Sequence, residues 1–206
     1  MSEKYTSTEQ KVSYGIGRQM GDQLAGSPFD ELDLQSVLDG ISDAFTSQPS
    51  QISTEEMKAA FEAVNERVQK KQAETAGQLT AEGEKFLADN AQRAGITVTA
   101  SGLQYEVLSE GKGAMPSSSA KVRTHYHGTL LDGTVFDSSY DRGEPAEFPV
   151  NGVIAGWTEA LQLMKEGAKW RLYVPSALAY GEKGAGGAIG PHATLIFDVE
   201  LLAIVD

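Results

Sequence analysis

The spacing of apolar residues changes near Gly95, and this change divides the chain into two parts. Before Gly95 the apolar residues recur every three or four positions, which predicts amphipathic helices. Pro28 and Pro49, each among polar neighbours, separate the first two helices from each other and from a third. The apolar positions of the first helix are Val12, Ile16, Met20 and Leu24, and those of the second are Leu34, Val37, Leu38, Ile41 and Phe45.

A third helix is predicted to begin after Ser53 and to run without proline to Gly95. Ser53 and Glu56 have the spacing of a capping box, and Gly95 is a candidate for the glycine that ends the helix. Residues 69–78 contain no large apolar side chain, which indicates a solvent-exposed spacer in the middle of the helix.

Several glycines lie inside the predicted helices. Gly17 and Gly21 are one turn apart in the first helix, where they are costly unless another helix crosses closely at that point. The alternative is that the first helix breaks near Gly15–Gly17. In the third helix, Gly77 and Gly83 are expected weak points that cost about 1 kcal/mol each relative to alanine.

The apolar stripes of these helices are narrow, so a single copy of the chain buries little surface. The third helix begins with a further stripe, formed by Met57, Ala60, Phe61, Val64 and Val68. Self-association through residues 1–68 hides all three stripes, and the sequence therefore predicts a homodimer.

From Leu103 onward apolar and polar residues alternate, which predicts an antiparallel sheet with one buried and one solvent-exposed face. Residues 131–134 (LDGT) supply a hairpin turn, and residues 157–164 form a short helical segment expected to pack across the sheet. The fold class is therefore α+β. The expected inward positions are Leu103, Tyr105, Val107, Val122, Thr124, Tyr126, Trp170, Leu172, Val174, Leu195, Phe197, Val199 and Leu201.

The composition excludes several classes of function. The absence of cysteine rules out disulfides, thiolate zinc sites, iron–sulfur clusters and cysteine nucleophiles. A net charge of −12 argues against nucleic acid or an anionic membrane as a partner, because phosphate binding needs clustered cations. Residues 1–26 contain no apolar run long enough for a signal peptide or a membrane span, which predicts a soluble, cytoplasmic protein.

Five motifs follow one another in the second half of the chain: residues 125–130 (HYHGTL), 132–139 (DGTVFDSS), 152–157 (GVIAGW), 179–181 (AYG) and 191–197 (PHATLIF). The ordered set resembles the FKBP-type peptidyl-prolyl isomerases. The helical first half is similar to that of the twenty-two-kilodalton bacterial members, which are cytoplasmic relatives of the macrophage infectivity potentiator proteins. That group forms V-shaped homodimers.

The resemblance implies how the chain is organised. A helical dimerisation domain is expected in residues 1–52, a long connecting helix in residues 53–95 and an isomerase domain in residues 96–206. In the isomerase domain a twisted antiparallel sheet is expected to wrap around the helix of Trp157.

The resemblance also implies which residues form the substrate pocket. Tyr126, Asp137 and Tyr180 are the candidate catalytic residues. Arg142 is added to the substrate-binding set because its charge is expected to hold Asp137 ionised. The remaining substrate-binding residues are Phe136, Phe148, Val153, Ile154, Trp157, Ile189 and Phe197.

The chemistry of prolyl isomerisation fits these residue types. Rotation about an X–Pro bond passes a barrier of about 18–20 kcal/mol that arises from amide resonance. No bond is broken, so no nucleophile, general base, cofactor or metal is needed. A cup with Trp157 as its floor and aromatic walls is suited to the pyrrolidine ring. The Ile154 N–H and the Tyr180 hydroxyl are expected to donate to substrate carbonyls.

Each assignment has a plainer alternative. Aromatic residues on the inner face of a strand are often only core. Asp137 is also suited to capping a turn through the Ser138 and Ser139 amides, and Arg142 to being a solvated loop cation.

Two further patterns suggest sites of other kinds. His125 and His127 have a spacing that can chelate a metal, although the alternative is that they lie on the exposed face of a strand beside Tyr126. Residues 184–187 (GAGG) resemble a phosphate loop but lack its lysine and a following helix, so we interpret them as a flexible rim of the pocket.

The chain departs from the family pattern at two positions. Gly190 stands where many members have a second proline, which predicts a more mobile loop over the pocket. Ala146 stands where some members have an aromatic residue. Macrolide inhibitors are candidate ligands, and both departures bear on their affinity.

The expected partners are unfolded or partly folded proteins that contain X–Pro bonds. An isomerase accelerates a folding step that otherwise takes tens to hundreds of seconds. The alternative function is a chaperone-like binding module in which the dimer holds unfolded chains and isomerisation is incidental.

Overall fold

The computed structural model describes residues 4–26 and 31–205, so the predicted helix break at Pro28 lies outside the described residues. The chain divides into two units, residues 1–71 and 72–206, and the third helix contributes to both. The predicted α+β class is confirmed, because the first unit is helical and an antiparallel sheet dominates the second.

Local sequence signals set the beginnings of the N-terminal helices. The Ser7 hydroxyl accepts a hydrogen bond from the Gln10 N–H at 3.2 Å, and Gln10 Oε1 accepts one from the Ser7 N–H at 3.1 Å. Ser53 and Glu56 form the same reciprocal pair, at 3.2 and 2.9 Å, so the predicted capping box is confirmed. The three helices are α1 (Thr8–Ala25), α2 (Leu34–Phe45) and α3 (Thr54–Asn90).

Helix α1 is continuous, so the alternative of a break near Gly15–Gly17 is wrong. A Cβ placed on Gly17 or Gly21 would meet no other atom within 4 Å. Neither α1 nor α2 contains a buried residue among those described, and the apolar stripes are largely exposed. The exposed members of these two stripes and of the stripe that begins α3 are Val12, Ile16, Met20, Leu34, Leu38, Ile41, Phe45, Met57 and Phe61.

Helix α3 ends at Asn90, and the predicted end at Gly95 is wrong. Beyond the helix the backbone forms a tighter turn, in which the Arg93 N–H donates to the carbonyl of Asn90, three residues earlier, at 3.0 Å. The buried Asn90 side chain donates to Gln104 Oε1 at 2.8 Å and ties the helix end to the sheet. This tertiary contact is invisible in local spacing, which explains the error.

The C-terminal unit contains a seven-stranded antiparallel sheet with the strand order β1-β2-β6-β7-β3-β4, and β5 also pairs with β3. The strands are β1 (Ile96–Val98), β2 (Gln104–Ser109), β3 (Lys121–Thr129), β4 (Val135–Ser138), β5 (Ala146–Pro149), β6 (Lys169–Val174) and β7 (Leu195–Val205). Two further helices are α4 (Ser139–Arg142) and α5 (Ala155–Leu163). The predicted hairpin turn joins β3 to β4, where the Leu130 N–H donates to the Thr134 carbonyl at 2.9 Å.

The predicted alternation is confirmed in the central strands. Val122, Thr124 and Tyr126 of β3 are buried, and in β7 every second residue from Leu195 to Leu201 is buried. Helix α5 packs its Trp157 face into this core, as predicted for the segment.

The outer face of the sheet is partly covered by α3, although the alternation predicted that it would be exposed. Gln104 is buried, and its amide donates to the Leu87 carbonyl at 2.8 Å. Tyr173 is also buried, with its ring centroid 5.8 Å from that of Phe86. Val107, predicted to point inward, is instead exposed; it lies beyond the last β2 residue that pairs with β1, at the irregularity in the pairing of β2 with β6.

Gly83 is a packing site in α3. It is buried, and a Cβ at this position would lie 2.4 Å from Thr194 Oγ1. The missing side chain therefore lets the helix backbone approach the segment before β7, so the prediction that Gly83 is merely a weak point is wrong. Gly77 meets nothing within 4 Å and fits the exposed spacer.

These contacts predict that a fragment of residues 72–206 is more stable than one of residues 96–206. The shorter fragment lacks the α3 residues that cover Gln104 and Tyr173. Loss of the two hydrogen bonds to the Gln104 side chain and of the Phe86–Tyr173 contact lowers the free energy of unfolding by about 2–4 kcal/mol. Urea unfolding followed by tryptophan fluorescence measures the difference, and equal stabilities would contradict the assignment of this part of α3 to the sheet unit.

Candidate active site

A cavity of about 600 Å³ opens between α5, the inner face of the sheet and the loop before β7. Ten of the eleven predicted site residues line it, and Arg142 is the one that does not. Sequence reasoning missed four small lining residues, although it interpreted residues 184–187 as a rim. The complete lining is Tyr126, Phe136, Asp137, Phe148, Gly152, Val153, Ile154, Trp157, Tyr180, Ala185, Gly186, Ala188, Ile189 and Phe197.

The Trp157 indole forms the floor of the cavity. Three other aromatic rings, one each from β3, β5 and β7, meet it nearly at right angles. These are Tyr126 at 5.2 Å and 85°, Phe148 at 6.0 Å and 90°, and Phe197 at 5.3 Å and 79° between centroids and ring planes. Edge-to-face pairs of this kind are favourable, so the floor and walls support one another.

Gly128 leaves room for the aromatic wall of β4 and β7. A Cβ at this position would lie 2.6 Å from Phe136 Cζ and 3.0 Å from Phe197 Cε1. The two rings meet edge to face at 5.4 Å. Gly128 is part of the HYHGTL motif, but its spacing did not indicate a role. Its lack of a side chain leaves the space that Phe136 and Phe197 occupy.

Three side chains form a polar corner beside this apolar cup. The Tyr126 hydroxyl donates to Asp137 Oδ2 at 2.5 Å. Arg142 Nη2 donates to the Tyr126 oxygen at 2.8 Å, and Arg142 Nη1 forms an ion pair with Asp137 Oδ1. The structure thus places Arg142 beside Asp137, as predicted, and brings Tyr126 into contact with both.

The short helix α4 brings Arg142 to this corner. Ser138 at the end of β4 caps it, since its hydroxyl accepts a hydrogen bond from the Asp141 N–H at 3.2 Å. Ser139 is fully buried, and its hydroxyl accepts a hydrogen bond from the Tyr126 N–H at 2.7 Å. The Ser138 hydroxyl thus caps α4, while the Asp137 carboxylate bonds to Tyr126 and Arg142 and also accepts from the Ser138 backbone N–H, so its predicted part in the turn coexists with its place in the corner.

The corner keeps Asp137 ionised. Burial raises the pKa of this carboxyl group, but the hydrogen bonds from Tyr126 and Arg142, the Arg142 charge and the Ser138 backbone N–H outweigh it and hold the pKa below its ordinary value. Burial raises the pKa of the Tyr126 hydroxyl, and its bond to Asp137 raises it further. Tyr126 is thus a neutral donor and Asp137 a charged acceptor.

Two hydrogen-bond donors lie elsewhere on the cavity surface. The first backbone bond of α5 runs from the Trp157 N–H to the Ile154 carbonyl, so the amide of Ile154 precedes the intrahelical bonds. Tyr180, on the opposite rim, is 41% exposed, and no residue in the described ranges bonds to its hydroxyl. Both donors are free to meet carbonyl groups in the cavity.

The two histidines of β3 do not line the cavity. His125 stacks on Tyr140 at 4.6 Å, and its Nδ1 lies 2.9 Å from Ser139 Oγ. His127 lies on the outer face of the sheet in a hollow with Arg171. Within residues 4–26 and 31–205, no group of three His, Cys, Asp or Glu side chains is arranged to hold a metal ion.

The lowered pKa of Asp137 predicts a specific effect of Arg142→Gln. Loss of the guanidinium removes a charge and two hydrogen bonds, while the burial that raises the pKa remains, so the Asp137 carboxyl is expected to titrate at a higher pH. NMR titration of the Asp137 carboxyl carbon measures the midpoint. Arg123→Gln, which removes an ion pair with Glu147 outside the cavity, is the matched control.

The same shift affects stability. Because the folded pKa of Asp137 is depressed, its ionised form stabilises the protein above the unfolded pKa, and this contribution is lost as pH falls through the folded pKa. The Asp137 and Arg142 side chains are partly exposed, so the effect on the free energy of unfolding is small.

In the NMR titration, an unchanged Asp137 midpoint in Arg142→Gln would contradict the role of Arg142.

Family models match both parts of the chain. Residues 112–202 match the FKBP-type peptidyl-prolyl cis-trans isomerase, and residues 9–107 match the domain amino terminal to FKBP-type peptidyl-prolyl isomerase. No helix in the described part of the chain is both long and apolar enough to cross a membrane.

Named relatives agree with these matches. The chain is 47% identical over 201 residues to the FKBP-type 22 kDa peptidyl-prolyl cis-trans isomerase of Escherichia coli (strain K12), with 98% of each chain covered. It is 42% identical over 202 residues to the peptidyl-prolyl cis-trans isomerase Mip of Coxiella burnetii, with 96% of this chain and 87% of that protein covered. The crystal structure of FkpA from Escherichia coli is similar, with a TM-score of 0.71 and 38% sequence identity; the match covers 97% of this chain and 98% of that chain. The chain therefore belongs to the FKBP-type peptidyl-prolyl cis-trans isomerases, which confirms the predicted family, fold and enzymatic activity.

Proposed function

We propose that this isomerase acts on X–Pro bonds of unfolded or partly folded proteins, and that it does so as a homodimer. The single observation that carries the catalytic part is the apolar cavity with Trp157 as its floor and ionised Asp137 at one edge. The exposed apolar faces of the N-terminal helices carry the part that concerns dimerisation and client binding.

The cavity performs the rotation by changing the surroundings of the amide. The substrate pyrrolidine ring enters the cup formed by Phe136, Trp157 and Phe197, and this removes the prolyl bond from water. In the planar ground state, resonance places charge on the carbonyl oxygen, and this charge decreases as the bond twists. A water-poor site therefore favours the twisted state relative to the planar one.

The polar groups hold the peptide while the bond rotates. The Ile154 N–H and the Tyr180 hydroxyl donate to substrate carbonyls on either side of the cup. The Asp137 carboxylate lies at the edge of the cup and opposes the carbonyl dipole of the planar amide. Arg142 and Tyr126 keep that carboxylate ionised and oriented, so it is charged and in position whenever a substrate binds.

Dimerisation follows from the apolar residues that one copy leaves exposed. In α2, Phe45 is 90% exposed, and Leu38 and Ile41 on the same helix are also exposed. A contiguous exposed apolar surface of this kind marks an interaction site. In α1, the open side at Gly17 and Gly21 borders a groove of about 950 Å³, which has room for a helix of the second copy.

Binding of unfolded chains is the second candidate function, and the same exposed faces favour it. An apolar helix face that remains open after dimerisation is suited to non-specific contact with an unfolded protein. Such contact raises the local concentration of prolyl bonds near the cavity, an effect that can exceed a single affinity by about 10²–10⁴-fold.

Macrolide inhibitors are proposed ligands of the same cavity. Its volume and aromatic walls fit a drug-sized apolar molecule. Ala146 lies on β5, paired with Thr124, and offers less apolar contact than an aromatic residue at that place. The cytoplasmic localisation and the division into three domains stay predictions, except that the connecting helix ends at Asn90.

The catalytic proposal predicts that Asp137→Ala lowers kcat/KM on a short prolyl peptide by at least about tenfold, equivalent to about 1.4 kcal/mol. The fold is expected to persist, because Asp137 lies at the cavity edge. Asp141→Ala, an exposed acid of α4, is the matched control. Trp157→Ala is expected to damage both activity and fold, since loss of a core aromatic costs about 3–5 kcal/mol. Full activity of a folded Asp137→Ala protein would exclude the proposed role.

The dimer proposal predicts that Gly17→Leu or Gly21→Leu weakens self-association, because a side chain blocks the close crossing of helices. Analytical ultracentrifugation at micromolar concentration measures this, with Gly77→Leu in the exposed spacer as the control. A monomeric wild-type chain would contradict the proposal. The weakened variant is expected to keep its peptide activity but to lose activity in proline-limited refolding of a protein. Equal losses on the two substrates would exclude client binding by the helices.

A further inference from the structure

The rim of the cavity is a loop that closes on itself. Residues 184–194 form this rim loop, which carries Ala185 and Ile189 into the cavity lining. Reciprocal backbone hydrogen bonds of 2.9 and 3.0 Å join these two residues. Ile189 is only 8% exposed, so its position depends on what packs behind the loop.

Leu79 of α3 packs behind this loop. A Cβ at Gly190, the residue after Ile189, would lie 2.8 Å from Leu79 Cδ1. Leu79 itself is partly buried and packs against the core of the C-terminal unit. The end of the Leu79 side chain therefore occupies the space beside Gly190 and must shift if a residue with a Cβ stands there.

A second contact fixes the same turn of the helix to the other end of the rim loop. Gly83 lies one turn after Leu79, and its backbone lies directly against Thr194, which is 5% exposed. Thr194 immediately precedes β7, the strand that carries Phe197 of the cavity wall. Residues 79–83 of α3 thus contact the rim loop on both sides of Pro191.

We propose that Leu79 is a positioning residue of the active site: it holds the rim loop so that Ile189 completes the apolar wall. This inference rests on the proposed function. Leu79 does not line the cavity, so it acts on the substrate only through the loop. Without its side chain the rim loop gains freedom that substrate binding must then remove, which weakens binding while Trp157 and Asp137 stay in place.

The test compares Leu79→Ala with two controls in the full-length protein. Phe86→Ala removes an α3 contact with Tyr173 on the sheet, away from the rim loop, and Gln78→Ala changes an exposed neighbour. Leu79→Ala is expected to raise KM for a prolyl tetrapeptide about fivefold with little change in kcat, whereas both controls keep the wild-type KM. Thermal unfolding of each variant separates this effect from a loss of folded protein.

A double-mutant cycle tests the contact itself. Gly190→Ala adds the methyl group that Leu79 opposes, and its backbone is not in the left-handed region that favours glycine. In the wild-type background it is expected to raise KM, and in the Leu79→Ala background it is expected to have a much smaller effect. Additive effects, or a Leu79→Ala protein with the KM of Phe86→Ala, would overturn the inference while leaving the isomerase function intact. An inactive wild-type protein would overturn the function instead.

Discussion

The packing of the Trp157 indole against three aromatic rings is the contact on which the C-terminal unit and its cavity both depend. The rings come from three different strands, so the indole holds α5, β3, β5 and β7 in one arrangement. The same surface that closes the core also forms the floor of the cavity. Stability and substrate binding therefore share one set of atoms, which leaves little freedom to alter one without the other.

The division between apolar and polar parts of the site follows from this arrangement. The aromatic cup excludes water but offers no fixed charge, and the charge is supplied at its edge by Asp137. Burial near an apolar surface favours the protonated form of a carboxyl group, and the contacts with Arg142 and Tyr126 overcome this tendency at Asp137. Helix α4 is short, yet it is needed because it delivers the guanidinium to that edge.

Local signals in the sequence predicted most elements, because helix caps and the periodicity of apolar residues are visible in residues close together in the chain. The capping box at Ser53 and the alternation of β3 and β7 are of this kind. The cavity residues came from a resemblance to a family, since alternation alone does not distinguish an aromatic core from an aromatic cup. The assignment of roles within the cavity stays a prediction.

The errors arose where one element covers another. Gln104 and Tyr173 were expected on an exposed face, but the end of α3 buries them. Gly83 appeared costly when considered within its helix and becomes useful only beside Thr194. Gly128 is a similar case, because its lack of a side chain matters only beside the two aromatic rings that pack against it. Contacts between residues far apart in the chain leave no periodic trace, so spacing did not reveal them.

The placement of the two tryptophans makes the intrinsic fluorescence of the protein sensitive to a ligand in the cavity. Trp157 forms the cavity floor, whereas Trp170 is buried on β6 and stacked on Tyr105 at 4.1 Å, outside the cavity lining. A bound ligand changes the surroundings of the first indole and leaves those of the second unaltered. Emission from the unlabelled chain therefore responds to a ligand in the cavity, and binding can be followed without attaching a dye to a protein that has no cysteine to carry one.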